Sequence, residues 1–210
     1  MSTRLVVVRH GETQWNLDSR IQGYSDSPLT AAGEAQAAAI AERLAGESFD
    51  RLVSSDLGRA WRTAQAIAAR IGLAVEPDAR LRERNYGMAE GLTYGEIGVH
   101  YPDLFSRVRD TDPDYVVPGG ESRRQLFERV RDAFEALARA SDGRCIAVVC
   151  HGGVLAALYR HVHGIPVGTA HPIPIPNASY NALVYNCGRW EVEAWADTAH
   201  LAAIEPFVEP

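Results

Sequence analysis

The chain has 210 residues, 46% hydrophobic and 23% charged, and a formal net charge of −6. That length suits a single α/β domain over 1–210 with a sizeable core, and the composition excludes a disordered chain. The acidic balance disfavours nucleic acid and anionic membrane as partners. No run is long and apolar enough to span a bilayer, and the N-terminus lacks the basic-then-apolar pattern of a secretory leader. Three sparse cysteines, Cys145, Cys150 and Cys187, argue against a disulfide framework and fit a reducing, cytoplasmic setting. The sequence contains no Lys, so Arg carries all the fixed positive charge.

The first element is a strand over 5–8, four apolar and mostly β-branched residues that read as buried on both faces. Arg9, His10, Gly11 and Glu12 leave its C-terminal end, the edge where open α/β sheets bind ligands. A cation, an imidazole and a glycine at that place point to an anion. Through Thr13 and Asn16 the run resembles the signature of the histidine phosphatase superfamily, which includes cofactor-dependent phosphoglycerate mutases and many small phosphatases. The resemblance implies that His10 is phosphorylated during turnover.

Residues 17–29 have the Gly, Pro and polar content of a loop. Arg20, Gln22 and Gly23 offer donors there, and the resemblance places Gln22 and Gly23 at the border of the substrate. Thr30 then caps a helix over 31–44, with Ile40 and Leu44 one turn apart and Gly46 closing it. A strand over 49–54 follows, then a helix over 57–71 capped by Asp56 and ended by Gly72. Arg59 lies in the first turn of that helix, where a cation opposes the macrodipole unless an anion sits nearby. The segment over 54–64 resembles the one that supplies the family's second phosphate-binding arginine, here Arg59. Arg62 and Thr63 share its side of the helix, and Arg62 is left outside the site.

A short strand over 73–75 leads to residues 81–94. Read alone, Glu83 between Arg82 and Arg84 is a solvated charge cluster. Leu81, Glu83 and Gly87 resemble the family's general-acid segment, which makes Glu83 the proton donor. Arg84 and Tyr86 are similar to the mutase version that contacts a carboxylated substrate, whereas 90–94 looks more like the phosphatase branch. Only a few dozen residues separate Glu83 from 118–122, fewer than in the mutases. A smaller, more open lid admits water, and water intercepting a phosphoenzyme makes a phosphatase.

A long helix over 122–140 starts with Ser122 and Gln125 in capping-box spacing, and Leu126, Val130, Phe134 and Leu137 form its apolar stripe. The strand over 145–150 is followed by His151, Gly152 and Gly153, repeating the arrangement around His10. Two such strands side by side would hold both imidazoles over one pocket. The resemblance implies that His151 binds phosphoryl oxygens, with the Gly152 N–H opening a helix whose N-terminus favours an anion. A Cys150–His151 nucleophile pair is disfavoured because successive strand side chains point to opposite faces. His161, His163 and His171 lack the spacing and partners of a metal site. A hairpin about 187–188 ends the legible pattern.

The expected fold is a three-layer α/β/α sandwich with a mainly parallel sheet, phosphoglycerate mutase-like. The expected chemistry is phosphomonoester hydrolysis through a phosphohistidine at His10. Arg9, Arg59 and His151 hold the phosphoryl group, Glu83 is acid then base, and Asn16 adds a hydrogen bond. Arginine supplies the positive charge, so neither metal nor cofactor is invoked. The expected partner is a small phosphorylated metabolite, and the oligomeric state is open, a homodimer included. The alternatives are a cofactor-dependent phosphoglycerate mutase, suggested by Arg84 and Tyr86, and a silent phospho-ligand binding protein.

Overall fold

The computed structural model describes residues 2–109, 112–169 and 173–204. In chain order the elements are β1 (Thr3–Arg9), α1 (Gln14–Leu17), α2 (Ala31–Leu44), β2 (Arg51–Ser54), α3 (Gly58–Ile71) and β3 (Val75–Pro77). They continue with α4 (Tyr94–His100), α5 (Pro102–Arg109), α6 (Arg123–Arg139), β4 (Cys145–Cys150), α7 (Gly152–His163), β5 (Tyr180–Asn186) and β6 (Arg189–Asp197). The six strands form one sheet in the order β3-β2-β4-β1-β5-β6. The first four in that order run parallel, and β5 and β6 are added antiparallel at one edge.

Alternation along the strands divides the core into two faces. Leu5 and Val7 of β1, with Ile146, Val148 and Cys150 of β4, pack against Leu126, Val130 and Phe134 of α6 and Leu155 and Leu158 of α7. Val6 and Val8, with Leu52, Ala147 and Val149, pack against Ile40 and Leu44 of α2 and Ala60, Ala64 and Ile67 of α3. The result is the three-layer α/β/α sandwich with a mainly parallel sheet, and the doubly apolar strands are its cause. A third cluster of Ile21, Ala89, Ile97, Leu104 and Val117 supports α4 and α5.

Several boundaries differ from the sequence expectation. Thr13 and Asn16 form a capping box around a one-turn helix, α1, where a loop was expected to begin. Ala45, in right-handed conformation, ends α2 rather than Gly46. Asp56 does not cap α3, whose N-cap Leu57 makes no side-chain cap bond; the Asp56 carboxylate is drawn instead to the Arg82 guanidinium. The third strand begins at Val75, where β2 offers its ladder, rather than at Leu73. Gly72, Gly164 and the Ser122–Gln125 box sit at helix ends as the sequence indicates. Cys187 and Gly188 both take positive φ, 48° and 82°, which lets the hairpin turn follow the strand twist.

Candidate active site

The register of β1 and β4 sets the centre of the site. Arg9 is the ladder partner of Cys150, and the His10 N–H donates to the Cys150 carbonyl at 3.0 Å. His10 and His151 are therefore the next residues off two adjacent parallel strands. Their ring centroids lie 5.2 Å apart, and both side chains are buried.

The hydrogen bonds assign a role to each ring nitrogen. His10 Nδ1 lies 2.8 Å from the Gly11 carbonyl oxygen. A carbonyl only accepts, so Nδ1 carries the proton and the neutral ring keeps its lone pair on Nε2. His151 Nε2 lies 2.8 Å from Ser55 Oγ, and that hydroxyl accepts the Leu57 N–H at 3.3 Å. Ser55 keeps its proton free to donate to Nε2, and in that arrangement His151 carries its ring proton on Nδ1. That Nδ1 is buried without a protein partner, a donor suited to an anionic oxygen. Burial, then Arg59, then Arg9, hold His10 well below the ordinary histidine range. Burial, then Arg59, His10, Arg9 and Arg129, do the same for His151. Both imidazoles are neutral at pH 7.

Arg59 leaves the first turn of α3 and is 2% exposed. Its Nη2 donates to the Gly23 carbonyl at 2.7 Å and its Nη1 to the Ser25 carbonyl at 2.9 Å. The Asp26 carboxylate lies 3.3 Å from Nη1, and Nε is buried without a partner. The loop that supplies these acceptors is itself organised by Glu90. That carboxylate accepts the Tyr24, Ser25 and Tyr86 N–H groups and the Ser25 hydroxyl. Gly23 has φ +57°, and a Cβ there would sit 2.0 Å from Glu90 Oε1, so the loop requires glycine at this position.

Glu83 is placed from both sides of its chain. The Arg129 guanidinium of α6 donates to the Arg80, Arg82 and Glu83 carbonyls. The Glu83 side chain accepts the Arg84 N–H on Oε1 and the Gly153 N–H on Oε2, both at 2.8 Å. Gly153 belongs to the first turn of α7, whose N–H groups have no partner within the helix and favour a carboxylate or an anion. Gly152 stands beside the Arg9 guanidinium, whose Nε is 3.5 Å from where a Cβ would be.

Arg9, His10, Asn16, Gln22, Gly23, Arg59 and Glu83 line one pocket of about 160 Å³, together with Arg20, Tyr86 and Tyr94. Asn16 Oδ1 is committed to capping α1, so its amide N–H groups are what it offers this space. Gln22 contributes a buried Oε1 without a partner. Gly23 points its carbonyl at Arg59, which makes it a support for that guanidinium. Arg62 pairs with Glu34 at the surface. Arg84 donates to the Glu121 carbonyl and lies over the Tyr86 ring, 4.9 Å from its centroid.

Sequence reasoning passed over Ser55, Glu90, Gly153 and Asn177. Asn177 Nδ2 donates to the His10 carbonyl at 3.0 Å. The one available signal was position: Ser55 and Gly153 also stand at C-terminal strand ends, one residue past β2 and three past β4. Cys150 faces the α6–α7 layer, and burial pushes its thiol up, so it is no nucleophile for His151. His161 bonds to Glu135 and the His163 ring packs on Tyr159; His171 lies outside the described residues.

Comparison with known proteins bears on the same geometry. The family model described as histidine phosphatase superfamily (branch 1) matches residues 5–198. "Phosphoglycerate mutase-like protein 4" of Arabidopsis thaliana is 39% identical over 202 residues, covering 94% of this chain and 86% of the relative. The structure of Bacillus stearothermophilus YhfR superposes with a TM-score of 0.89 at 30% identity, over 95% of this chain and 99% of the other. A mycobacterial glucosyl-3-phosphoglycerate phosphatase in complex with VO3 gives 0.82 at 35% identity, over 93% and 99%.

Proposed function

The chain belongs to branch 1 of the histidine phosphatase superfamily, and from that membership we propose a phosphomonoester hydrolase working through a covalent phosphohistidine on His10. Enzymes of this family act on phosphate esters, and the choice within it lies between hydrolysis and transfer. The observation that carries the proposal is the His10 ring: neutral, with Nδ1 bound to the Gly11 carbonyl, and lining the pocket together with Arg9 and Arg59.

The reaction runs in two steps. His10 Nε2 attacks phosphorus, an N–P bond forms and the bond to the ester oxygen breaks. Glu83 gives its proton to the departing alkoxide. Arg9, Arg59 and the His151 Nδ1–H hold the phosphoryl oxygens, with donors fixed before charge develops on them. In the second step water attacks phosphorus, Glu83 takes a proton from it, the N–P bond breaks and inorganic phosphate leaves. The Asn16 amide N–H groups and the Gly152 N–H complete the cradle, and Gln22 borders it. The substrate is a small phosphorylated metabolite.

Water access favours hydrolysis. The segment between Glu83 and α6 builds two short helices, α4 and α5, and a wide cleft opens beside Glu83. The mutase alternative rests on Arg84 and Tyr86, yet Arg84 is already engaged by Glu121 and the Tyr86 ring. A panel of monoesters that includes 3-phosphoglycerate, assayed with a chelator present, tests the proposal. Release of inorganic phosphate is the expected result. Conversion to 2-phosphoglycerate without release identifies a mutase, and no turnover on any ester identifies a silent binding protein.

A further inference from the structure

The phosphate pocket is too small for a whole substrate. Its volume of about 160 Å³ falls below the 300–1,000 Å³ of ordinary ligand sites, so most of the alcohol half must lie elsewhere. A second cleft of about 930 Å³ shares Arg9 and Glu83 with it. The carboxylate that protonates the departing oxygen therefore faces both spaces.

The cleft is apolar along most of its wall. Ala156 of α7 forms one side, Ile173 and Ile175 a second, and Leu201 and Ile204 a third. Its wall is tied to the reacting groups: Arg9 Nη1 donates to the Ile175 carbonyl, and the Asn177 side chain and the Ala178 N–H both donate to the His10 carbonyl. Two of the polar residues in it already hold hydrogen bonds. Glu12 accepts the Thr30 hydroxyl, and Gln36 accepts the Glu12 N–H. Among the described residues, two carboxylates, Glu12 and Glu83, line the space with one cation, Arg9, which the phosphoryl group requires. Such a cleft repels a second anionic group and receives an uncharged one.

We propose that this cleft is the subsite for the alcohol half of the substrate, which is a phosphomonoester bearing an uncharged, apolar chain or ring system. The inference rests on the phosphohydrolase reading only in taking Glu83 as the acid for the leaving group. It sets the substrate apart from phosphoglycerates, whose carboxylate the cleft would disfavour.

Non-hydrolysable alkylphosphonates test the cleft apart from turnover. Calorimetric titration of the full chain with the series from methyl- to octylphosphonate should give a Kd that tightens by up to about fourfold per methylene. The heat-capacity change should grow more negative with length, as burial of apolar surface requires. 2-Carboxyethylphosphonate should bind no tighter than methylphosphonate. Ala156→Trp should flatten the series by filling the cleft. Leu201→Asp, on another wall, should do the same and covers the case in which the first variant does not fold by circular dichroism.

A Kd independent of chain length overturns the proposal, as does tighter binding of the carboxylated probe. Phosphate release from ethyl and octyl phosphate is measured in parallel. A rising binding series without hydrolysis of either ester leaves the cleft standing and removes the phosphatase reading. Equal hydrolysis of both with a flat series does the reverse.

Discussion

Glu83 Oε2 and the Gly153 N–H meet at 2.8 Å, which ties the acid to the helix that His151 caps. A Cβ on residue 153 would lie 2.1 Å from Glu83 Oε1, so the carboxylate would have to swing away. Glu83→Gln should lower kcat/KM, which reports phosphoenzyme formation before Glu83 acts as base, by about 10²–10⁴ on alkyl phosphates, the usual worth of a general acid. The loss on p-nitrophenyl phosphate, whose leaving group needs no proton, should be much smaller. Gly153→Ala should show the same preference with a loss of about 10², because the acid is misplaced rather than removed. Values of kcat/KM on the two ester types decide it, and equal losses in kcat/KM on both would take the proton-donor role from Glu83.

His10→Ala should abolish turnover and the acid-labile phosphoenzyme together. Quenching into alkaline detergent after labelling with a radiolabelled phosphate ester preserves the N–P bond and reads the intermediate directly. Label retained in that variant would move the nucleophile elsewhere.

The buried imidazoles also make stability depend on pH. Unfolded histidine protonates near pH 6.5, whereas His10 and His151 stay neutral in the fold well below that. The unfolded chain then binds more protons, so stability is fully present above about pH 6.5 and is lost as pH falls below it, with a slope of up to about 1.4 kcal/mol per pH unit for each group. His200, lowered by burial and Arg43, acts in the same direction. Tm measured from pH 7 to pH 5, in buffer free of phosphate and sulfate, should fall, and a His10→Asn, His151→Asn double variant should flatten the decline. A Tm independent of pH over this range would contradict the neutral, buried assignment.

Arg59→Ala should lower kcat by about 10²–10³, as for loss of one preorganised donor. Arg59→Lys should recover little, since an ammonium cannot reproduce the fork that bonds Gly23 and Ser25. Glu90→Gln should raise KM and loosen the loop over 22–26 while His10 stays competent. Comparing KM, kcat and amide exchange in that loop separates the two effects; an unchanged KM in Glu90→Gln would make that carboxylate a bystander.

The sheet and its helices were legible because their signals are local. Doubly apolar strands, Thr30 and Ser122 as caps, and Gly72 and Gly164 at helix ends each act over a few residues. The His10 and His151 segments were legible for the same reason, being two copies of strand, imidazole and glycine. Ser55, Glu90 and Asn177 were not, because a single polar residue gives no clue to a partner across the fold: Ser55 is 96 residues from His151, and Asn177 is 167 from His10. Asp56 misled because its best partner, Arg82, lies 26 residues on and outweighs the local cap. The large cleft was invisible to sequence because its walls come from α7, the Pro-rich segment over 173–176 and the turns after β6.

The pairing of Arg9 with Cys150 constrains how such a centre can change. A one-residue insertion in β1 or β4 would carry its imidazole about 3.3 Å along the strand and turn it to the opposite face of the sheet. The two rings are therefore heritable only as a unit, and lineages or engineers seeking a new ester must exchange segments that the weave leaves alone, those over 20–26, 84–109 and 173–177.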